Sequence, residues 1–220
     1  MKDRTLETYK NWAKYYDSDP NPHILLEHED FLELVSAKRN EMILDAACGT
    51  GKYTSEIVKI KAHVVGIDFC NEMLDAARKK LPGVEFKKAD IRKKLPFKNN
   101  RFDKIICGQT LKHVKILTPT FKEFYRILKH GGKFIFSVTH PEMVWDGYDT
   151  KIKSHGNLIA SSDIFHHKFQ DYIDAFNKSD FKIDTIRQVP INKKIKHLLT
   201  KRSYPVVKGR YEIIIFRLYK

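Results

Sequence analysis

The 220-residue sequence contains no apolar run long enough to span a bilayer as a helix. Its N-terminus is charged and lacks the apolar centre of a secretory signal peptide. We therefore expect a cytoplasmic protein with no membrane-spanning segment. Hydrophobic residues make up 42% of the chain, and neither internal repeats nor low-complexity segments occur. This composition indicates a globular domain and not a disordered chain.

Cysteine is scarce, with Cys48, Cys70 and Cys107 as the three in the chain. Their number is odd and no two of them form a C-x-x-C pair. The sequence therefore favours neither a disulfide framework nor a zinc site. We expect small buried thiols in a reducing compartment and no bound metal.

Acidic residues are outnumbered, with 27 Asp and Glu against 41 Lys and Arg, which gives a formal net charge of +14. Such an excess is compatible with a nucleic-acid partner. Lysines occur along the entire chain, however, so we favour the interpretation that the charge is spread over solvated faces.

A stretch from Met42 to Thr54, MILDAACGTGKYT, has the pattern of a strand, a tight turn and a helix. Gly49 and Gly51 have no Cβ, so the backbone there approaches a ligand closely and adopts positive φ at little cost. In an open α/β sheet, such a turn lies at the carboxyl ends of the strands, where ligands bind. The free N–H groups of the following helix favour a negative group at the same place.

The stretch does not match the dinucleotide-binding pattern G-x-G-x-x-G, because Thr54 occupies the position of the third glycine. It matches the pattern D-x-A-x-G-x-G instead, which begins at Asp45. With this motif the sequence resembles the class I S-adenosylmethionine-dependent methyltransferases, in particular the broad, small-molecule-like type 11 group. Ala47 stands where many members of that group have glycine.

Further stretches carry the same resemblance in the order that the family has them. They are residues 68–74, 95–103, 111–114 and 128–137. The resemblance covers residues 42–140 and implies an α/β fold. The expected fold is a Rossmann-like, seven-stranded, mostly parallel sheet with helices on both faces and an antiparallel last strand.

The same resemblance divides the chain, which we expect to be a single domain, into four parts. They are an N-terminal helical lid at 1–40, a cofactor-binding core at 42–140, a substrate-lid insertion after strand five at 141–176, and C-terminal strands at 177–220. Within the core, Gly131 and Gly132 predict the end of a helix over 118–129.

The resemblance implies S-adenosylmethionine as the cofactor and S-adenosylhomocysteine as its product. Asp68 follows Gly49 by 19 positions, at the end of the second predicted strand, and is expected to accept hydrogen bonds from both ribose hydroxyls. Its alternative role is to cap the next helix. Asp90 and the N–H group of Ile91 are expected to contact the adenine. The predicted cofactor-binding residues are Asp45, Ala47, Gly49, Gly51, Asp68, Phe69, Met73, Asp90, Ile91 and Gln109.

Aromatic residues and histidines are the candidates for contacts with the methyl acceptor. They are Trp12, Tyr16, His113, His140, Trp145 and His167. The two N-terminal aromatic residues are equally compatible with anchoring a helix to the body. If the acceptor loses a proton, a general base helps, and the candidate catalytic residues are His140, Tyr148 and His166. His166 and His167 are adjacent, a spacing at which both rarely bind one metal ion.

We predict methyl transfer to a small-molecule acceptor by in-line displacement, which requires alignment of the reactants and exclusion of water. Two other hypotheses stay open. The basic residues after position 190 suit an RNA or protein methyltransferase, and the fold also suits a non-catalytic S-adenosylmethionine-binding module. The asparagine-proline-proline-aromatic tetrapeptide of amino-methylating nucleic-acid enzymes does not occur. We expect a monomer or a homodimer.

Overall fold

The computed structural model describes residues 3–141, 151–154, 157–161, 163–201 and 203–220. Its helices are α1 (Arg4–Trp12), α2 (Pro22–Val35), α3 (Lys52–Ile57), α4 (Asn71–Lys80), α5 (Leu117–Ile127), α6 (Phe169–Asn177) and α7 (Ser203–Val207). Its strands are β1 (Met42–Ala46), β2 (His63–Asp68), β3 (Glu85–Lys88), β4 (Phe102–Gly108), β5 (Leu128–Thr139), β6 (Lys151–Ser154), β7 (Asn157–Ser161), β8 (Lys182–Pro190) and β9 (Tyr211–Tyr219). No helix in the described ranges is long and apolar enough to cross a membrane.

Seven strands form one sheet in the order β3-β2-β1-β4-β5-β9-β8. The first five pair in parallel, and β9 pairs antiparallel with both β5 and β8. The predicted Rossmann-like sheet with an antiparallel last strand is therefore confirmed. Because β1, β2 and β4 are parallel neighbours, their carboxyl ends meet at one edge of the sheet.

The central strands are apolar on both faces because helices cover both sides of the sheet. On one face, the side chains of Ile105 and Phe134 belong to a core that contains residues of α5 and α6. On the other face, Ile106 and Ile135 pack with residues of α2 and α3. The alternation along each strand sends neighbouring residues to opposite cores.

The helix predicted over 118–129 ends earlier, and the two glycines that we expected to terminate it lie in a strand. α5 stops at Ile127, and β5 begins at the next residue. Gly131 has a φ of +72°, and a Cβ on Gly132 would lie 2.8 Å from a backbone oxygen of Lys129. The glycines are needed at this irregular start of β5, where the N–H of Gly131 donates to the carbonyl oxygen of Lys220.

The segment after β5 contains a two-stranded antiparallel hairpin, β6 and β7, within the region predicted to be a substrate lid. Two of the residues predicted for the acceptor side, Trp145 and Tyr148, lie outside the described residues. Helix α6, at Phe169–Asn177, lies at the end of this region.

Candidate functional site

A cavity of about 330 Å³ lies at the carboxyl ends of β1, β2 and β4. Its floor comes from the turns that follow these strands, and its wall comes from α1, the start of α2 and the loop between them. One end of the cavity therefore lies over β1, β2 and the residues that follow β3. The other end lies against α2 and the residues that follow β4.

The turn after β1 is built from backbone in the left-handed region. Ala47, Gly49 and Gly51 have φ values of +61°, +53° and +77°. Alanine in this conformation is strained by about 1–2 kcal/mol, and this strained residue lines the cavity together with Gly49. Gly51 lies behind the turn, where a Cβ would come within 3.3 Å of the Leu81 side chain. The two glycines thus have different roles: one faces the cavity and the other permits packing.

Asp68, at the end of β2, connects this turn to α4. Its Oδ2 accepts a hydrogen bond from the N–H of Gly49 at 2.9 Å, and its Oδ1 accepts one from the N–H of Cys70 at 2.9 Å. Burial raises the pKa of Asp68 to about 6, although these backbone hydrogen bonds lower it. An ionised carboxylate has about four acceptor positions, so Asp68 keeps acceptor capacity beyond its backbone donors.

Asp45, at the end of β1, is also buried and lines the cavity. The hydroxyl of Thr54 donates to its Oδ2 at 2.6 Å, which attaches the strand to α3. Burial raises the pKa of this carboxyl from 3.8 to about 7, more than the hydrogen bonds from Thr54 lower it.

Asp45 should make the free energy of unfolding of the ligand-free protein larger at about pH 5 than at about pH 7.5. We expect Asp45→Asn to make this difference between the two pH values smaller. The folded state holds the proton on Asp45 up to about pH 7, whereas the unfolded chain releases it near 3.8. The stability from this group is therefore complete below the unfolded pKa and is lost as the pH rises through the folded one. Urea unfolding of both proteins at the two pH values measures the difference, and an unchanged difference contradicts the assignment.

Asp90 and Arg92 form a bidentate pair after β3, with Nε to Oδ1 at 2.8 Å and Nη2 to Oδ2 at 2.9 Å. Burial raises the pKa of Asp90, but the hydrogen bonds from Arg92 outweigh it and leave that pKa lowered. The same guanidinium donates to Asp3 at 2.8 Å and lies 5.4 Å from the ring centre of Phe69. Because Asp3 caps α1, this arginine connects the N-terminal helix to the cavity.

Three aromatic side chains of the N-terminal segment line the cavity together. Trp12 packs between Tyr9 and Tyr16, with ring centres 5.9 Å and 4.7 Å away. Tyr16 lies over the glycine turn, since its ring comes within 4.0 Å of the position of a Cβ on Gly49. The predicted N-terminal candidates Trp12 and Tyr16 are thus both placed in the cavity wall.

His113 lines the opposite wall, and its protonation state follows from its partners. Its Nδ1 lies 2.7 Å from the carbonyl oxygen of Asp163, which only accepts, so Nδ1 carries the hydrogen. Its Nε2 then accepts from the hydroxyl of Tyr9 at 3.1 Å. Burial, and next the charge of Lys112, lower the pKa of His113 to about 4. The ring is therefore neutral at neutral pH and links α1 to the turn after β4.

A buried polar cluster beside the cavity was not predicted from the sequence. Glu27 of α2 is 0% exposed and accepts hydrogen bonds from Tyr53 at 2.5 Å, Gln109 at 2.7 Å and Ser137 at 2.9 Å. Burial raises the pKa of Glu27, although all three donors lower it. A glutamate inside an amphipathic helix has no local signal that distinguishes it from a solvated one, and its three partners lie on other elements.

A second buried pair lies at the same end of the cavity. Nε2 of His23, at the start of α2, is 2.9 Å from Oε1 of Glu212 in β9. Burial lowers the pKa of His23, more than the hydrogen bond to Glu212 raises it. Sequence reasoning had no means of pairing these residues, because 189 positions separate them.

Several predicted residues are placed elsewhere. Met73 is buried in the core beneath α4, and His140 is buried with its Nε2 3.3 Å from the amide nitrogen of Gln188. His166 and His167 line a separate small cavity, and Nε2 of His167 donates to the carbonyl oxygen of Val114 at 2.8 Å. The main cavity brings the other described candidates together: Trp12, Tyr16, Asp45, Ala47, Gly49, Asp68, Phe69, Asp90, Ile91, Gln109 and His113.

The sequence has been compared with known families and proteins. Residues 44–136 match the profile of a family described as a type 11 methyltransferase domain. A demethylmenaquinone methyltransferase of Chlorobaculum parvum is 39% identical over 99 residues, which are 44% of this chain and 41% of that protein. One from Oceanobacillus iheyensis is 28% identical over 145 residues, 61% of each chain. The chain thus spans about half the length of the curated relatives it matches.

Solved structures share the fold. An S-adenosylmethionine-dependent methyltransferase from Mesorhizobium loti superposes with a TM-score of 0.71 at 19% identity, covering 89% of this chain and 98% of that one. Phosphoethanolamine N-methyltransferase 2 of Haemonchus contortus, solved in complex with S-adenosyl-L-methionine, has a TM-score of 0.65 at 14% identity. That match covers 96% of this chain and 60% of the other.

Proposed function

We propose that this protein, whose residues 44–136 match a methyltransferase domain family, transfers a methyl group from S-adenosylmethionine to a small-molecule acceptor. The observation that carries the proposal is the position of Asp68. A buried carboxylate at the end of β2 accepts from the left-handed glycine turn and faces the cavity, where two neighbouring hydroxyls of a ligand would meet it.

The residues around the cavity fit the cofactor. Asp68 would accept hydrogen bonds from the ribose, and the small residues Ala47 and Gly49 leave room for the ligand next to backbone. Arg92 donates two hydrogen bonds to Oδ1 of Asp90 and one to Oδ2, so Oδ2 would serve the adenine amino group, with the N–H of Ile91 beside it. When bound, S-adenosylmethionine supplies a methyl group that its sulfonium already activates.

The chain's own residues then have to orient the acceptor and exclude water. Tyr9, Trp12 and Tyr16 cover the cavity with apolar surface, which favours direct displacement over hydrolysis. Orientation of two reactants in such a site lowers the barrier by about 7–11 kcal/mol at most. His140, His166 and Tyr148 remain predictions for proton transfer, and the first two lie outside the main cavity wall.

A small acceptor suits the size of the cavity and the relatives, which are named demethylmenaquinone methyltransferases. One observation favours a second candidate, methylation of RNA: residues 191–210 contain seven Lys and Arg and no acidic residue. This segment connects β8 to β9 at the carboxyl edge of the sheet. Nucleic-acid binding through it would weaken steeply with salt.

Calorimetric titration with S-adenosylmethionine and S-adenosylhomocysteine tests the proposal. We expect micromolar binding of both, followed by methyl transfer from labelled cofactor to one member of a panel of phenols, quinols and amines. The absence of cofactor binding would refute the proposal. Salt-sensitive RNA binding together with methylation of RNA alone would replace the small molecule by RNA.

A further inference from the structure

Lys112 stands out in the wall of the cavity because its ammonium group has no partner within the part of the chain that the structure describes. Among the described residues, no acceptor forms a hydrogen bond or ion pair with its Nζ. The side chain is half-buried and lines both the main cavity and the small cavity that contains His166 and His167. It extends from the turn after β4, where its own carbonyl oxygen accepts from the N–H of Phe165 at 2.7 Å.

The neighbouring carboxylates do not satisfy this ammonium group. Glu27 and Glu212 act on Lys112 electrostatically and raise its pKa, but burial has the larger effect and leaves that pKa lowered. Both carboxylates already accept other hydrogen bonds, from Tyr53, Gln109 and Ser137 in one case and from His23 in the other. When a ligand excludes water from this end of the cavity, the three N–H donors of Lys112 need acceptors that the ligand has to supply.

Gln109 offers the complementary group a few residues away. Its Nε2 donates to Glu27 at 2.7 Å, which fixes the orientation of the amide because a carboxylate only accepts. Its Oε1 is buried without a hydrogen-bond partner in the described part of the chain. Gln109 is 8% exposed, has a φ of +52° and lines the cavity. A strained residue that presents an unused acceptor is typical of a ligand site.

We propose that Lys112 and Gln109 form the recognition site for the methyl acceptor, and that this acceptor is an anionic hydroxyaromatic compound. The ammonium of Lys112 binds its anionic oxygen, and Oε1 of Gln109 accepts from its hydroxyl group. The aromatic body packs against the apolar side chains at this end, Ile24 and Ile164. This inference rests on the proposed function, since it names the acceptor for the same reaction.

The test uses the full chain saturated with S-adenosylhomocysteine and a matched pair of fluorescent probes. 4-Hydroxy-2-naphthoate carries the carboxylate, with a hydroxyl group too far from it for an internal hydrogen bond, and 4-hydroxy-2-naphthamide is its neutral isostere. We expect the wild-type protein to bind the carboxylate about tenfold more tightly, since a charge-assisted hydrogen bond is stronger than a neutral one. Lys112→Met should bring the ratio close to one, and Lys112→Arg should preserve it. Gln109→Met should remove the preference for 4-hydroxy-2-naphthoate over 2-naphthoate.

Affinity for S-adenosylhomocysteine separates the possible failures. If the wild-type protein does not bind it, the proposed function fails. If it binds but Lys112→Met leaves the probe ratio unchanged, or the wild-type protein binds neither naphthoate probe, only the acceptor assignment is overturned. Lys112→Met could also weaken the binding of S-adenosylhomocysteine but not of methylthioadenosine, which lacks the amino-acid end. In that case the ammonium binds the carboxylate of the cofactor, and the acceptor assignment is equally overturned.

Discussion

Asp68→Ala is expected to weaken the binding of S-adenosylhomocysteine by at least about 100-fold, because two hydrogen bonds to a charged acceptor contribute about 1.5 kcal/mol or more each. Asp68 faces the cavity and also accepts hydrogen bonds from Gly49 in the glycine turn and from Cys70 at the start of α4. Calorimetry measures the affinity. Asp75→Ala is a matched control, since Asp75 is exposed on α4 and pairs with Arg78.

A ligand comparison separates ribose recognition from damage to the turn. The wild-type protein should bind the 3′-deoxy analogue of S-adenosylhomocysteine about tenfold more weakly than the parent compound, as expected for one lost hydrogen bond to a carboxylate. Asp68→Ala should bind the two compounds equally. If the variant still discriminates between them, another residue recognises the ribose and the assignment is wrong.

Glu27→Ala should lower the free energy of unfolding by about 3–5 kcal/mol, because the buried donors of Tyr53, Gln109 and Ser137 would lose their acceptor. Glu27 and Ser137 are fully buried, so water does not replace the hydrogen bond that the Ser137 hydroxyl would lose. Chemical denaturation measures the loss. Glu27→Gln, which keeps the shape and one carbonyl oxygen, should give an intermediate value.

The same helix provides the control for this prediction. Glu29 lies on the exposed side of α2 and pairs with Lys194 at the surface, so Glu29→Ala should leave the melting temperature nearly unchanged. Equal destabilisation by the two alanine variants would show that the cluster around Glu27 does not stabilise the core. A raised melting temperature for Glu27→Ala would show that its burial costs more than its hydrogen bonds return.

Much of the fold could be predicted from local patterns. The strand–turn–helix stretch around Gly49 depends on the chemistry of adjacent residues, so the type and order of these three elements were predicted correctly. The end of α5 was predicted wrongly, because Gly131 and Gly132 are as typical of a helix terminus as of an irregular strand. Only the close approach of β5 to Asp103 and Lys220 decides between the two.

The part of the site in which the ligand would contact the backbone could be predicted from the sequence. Asp45, Gly49, Asp68 and Asp90 each follow a predicted strand, and parallel strands necessarily bring their carboxyl ends to one edge. The opposite end of the cavity, next to α2, could be identified only from the tertiary structure. Glu27, Glu212 and Lys112 come from a helix, a distant strand and a short turn. Their burial in a shared space gives the two carboxylates their partners and leaves Lys112 without a hydrogen bond or ion pair to any described residue. Such convergence has no period and no spacing along the chain, because it depends on how the N-terminal helix packs over the sheet.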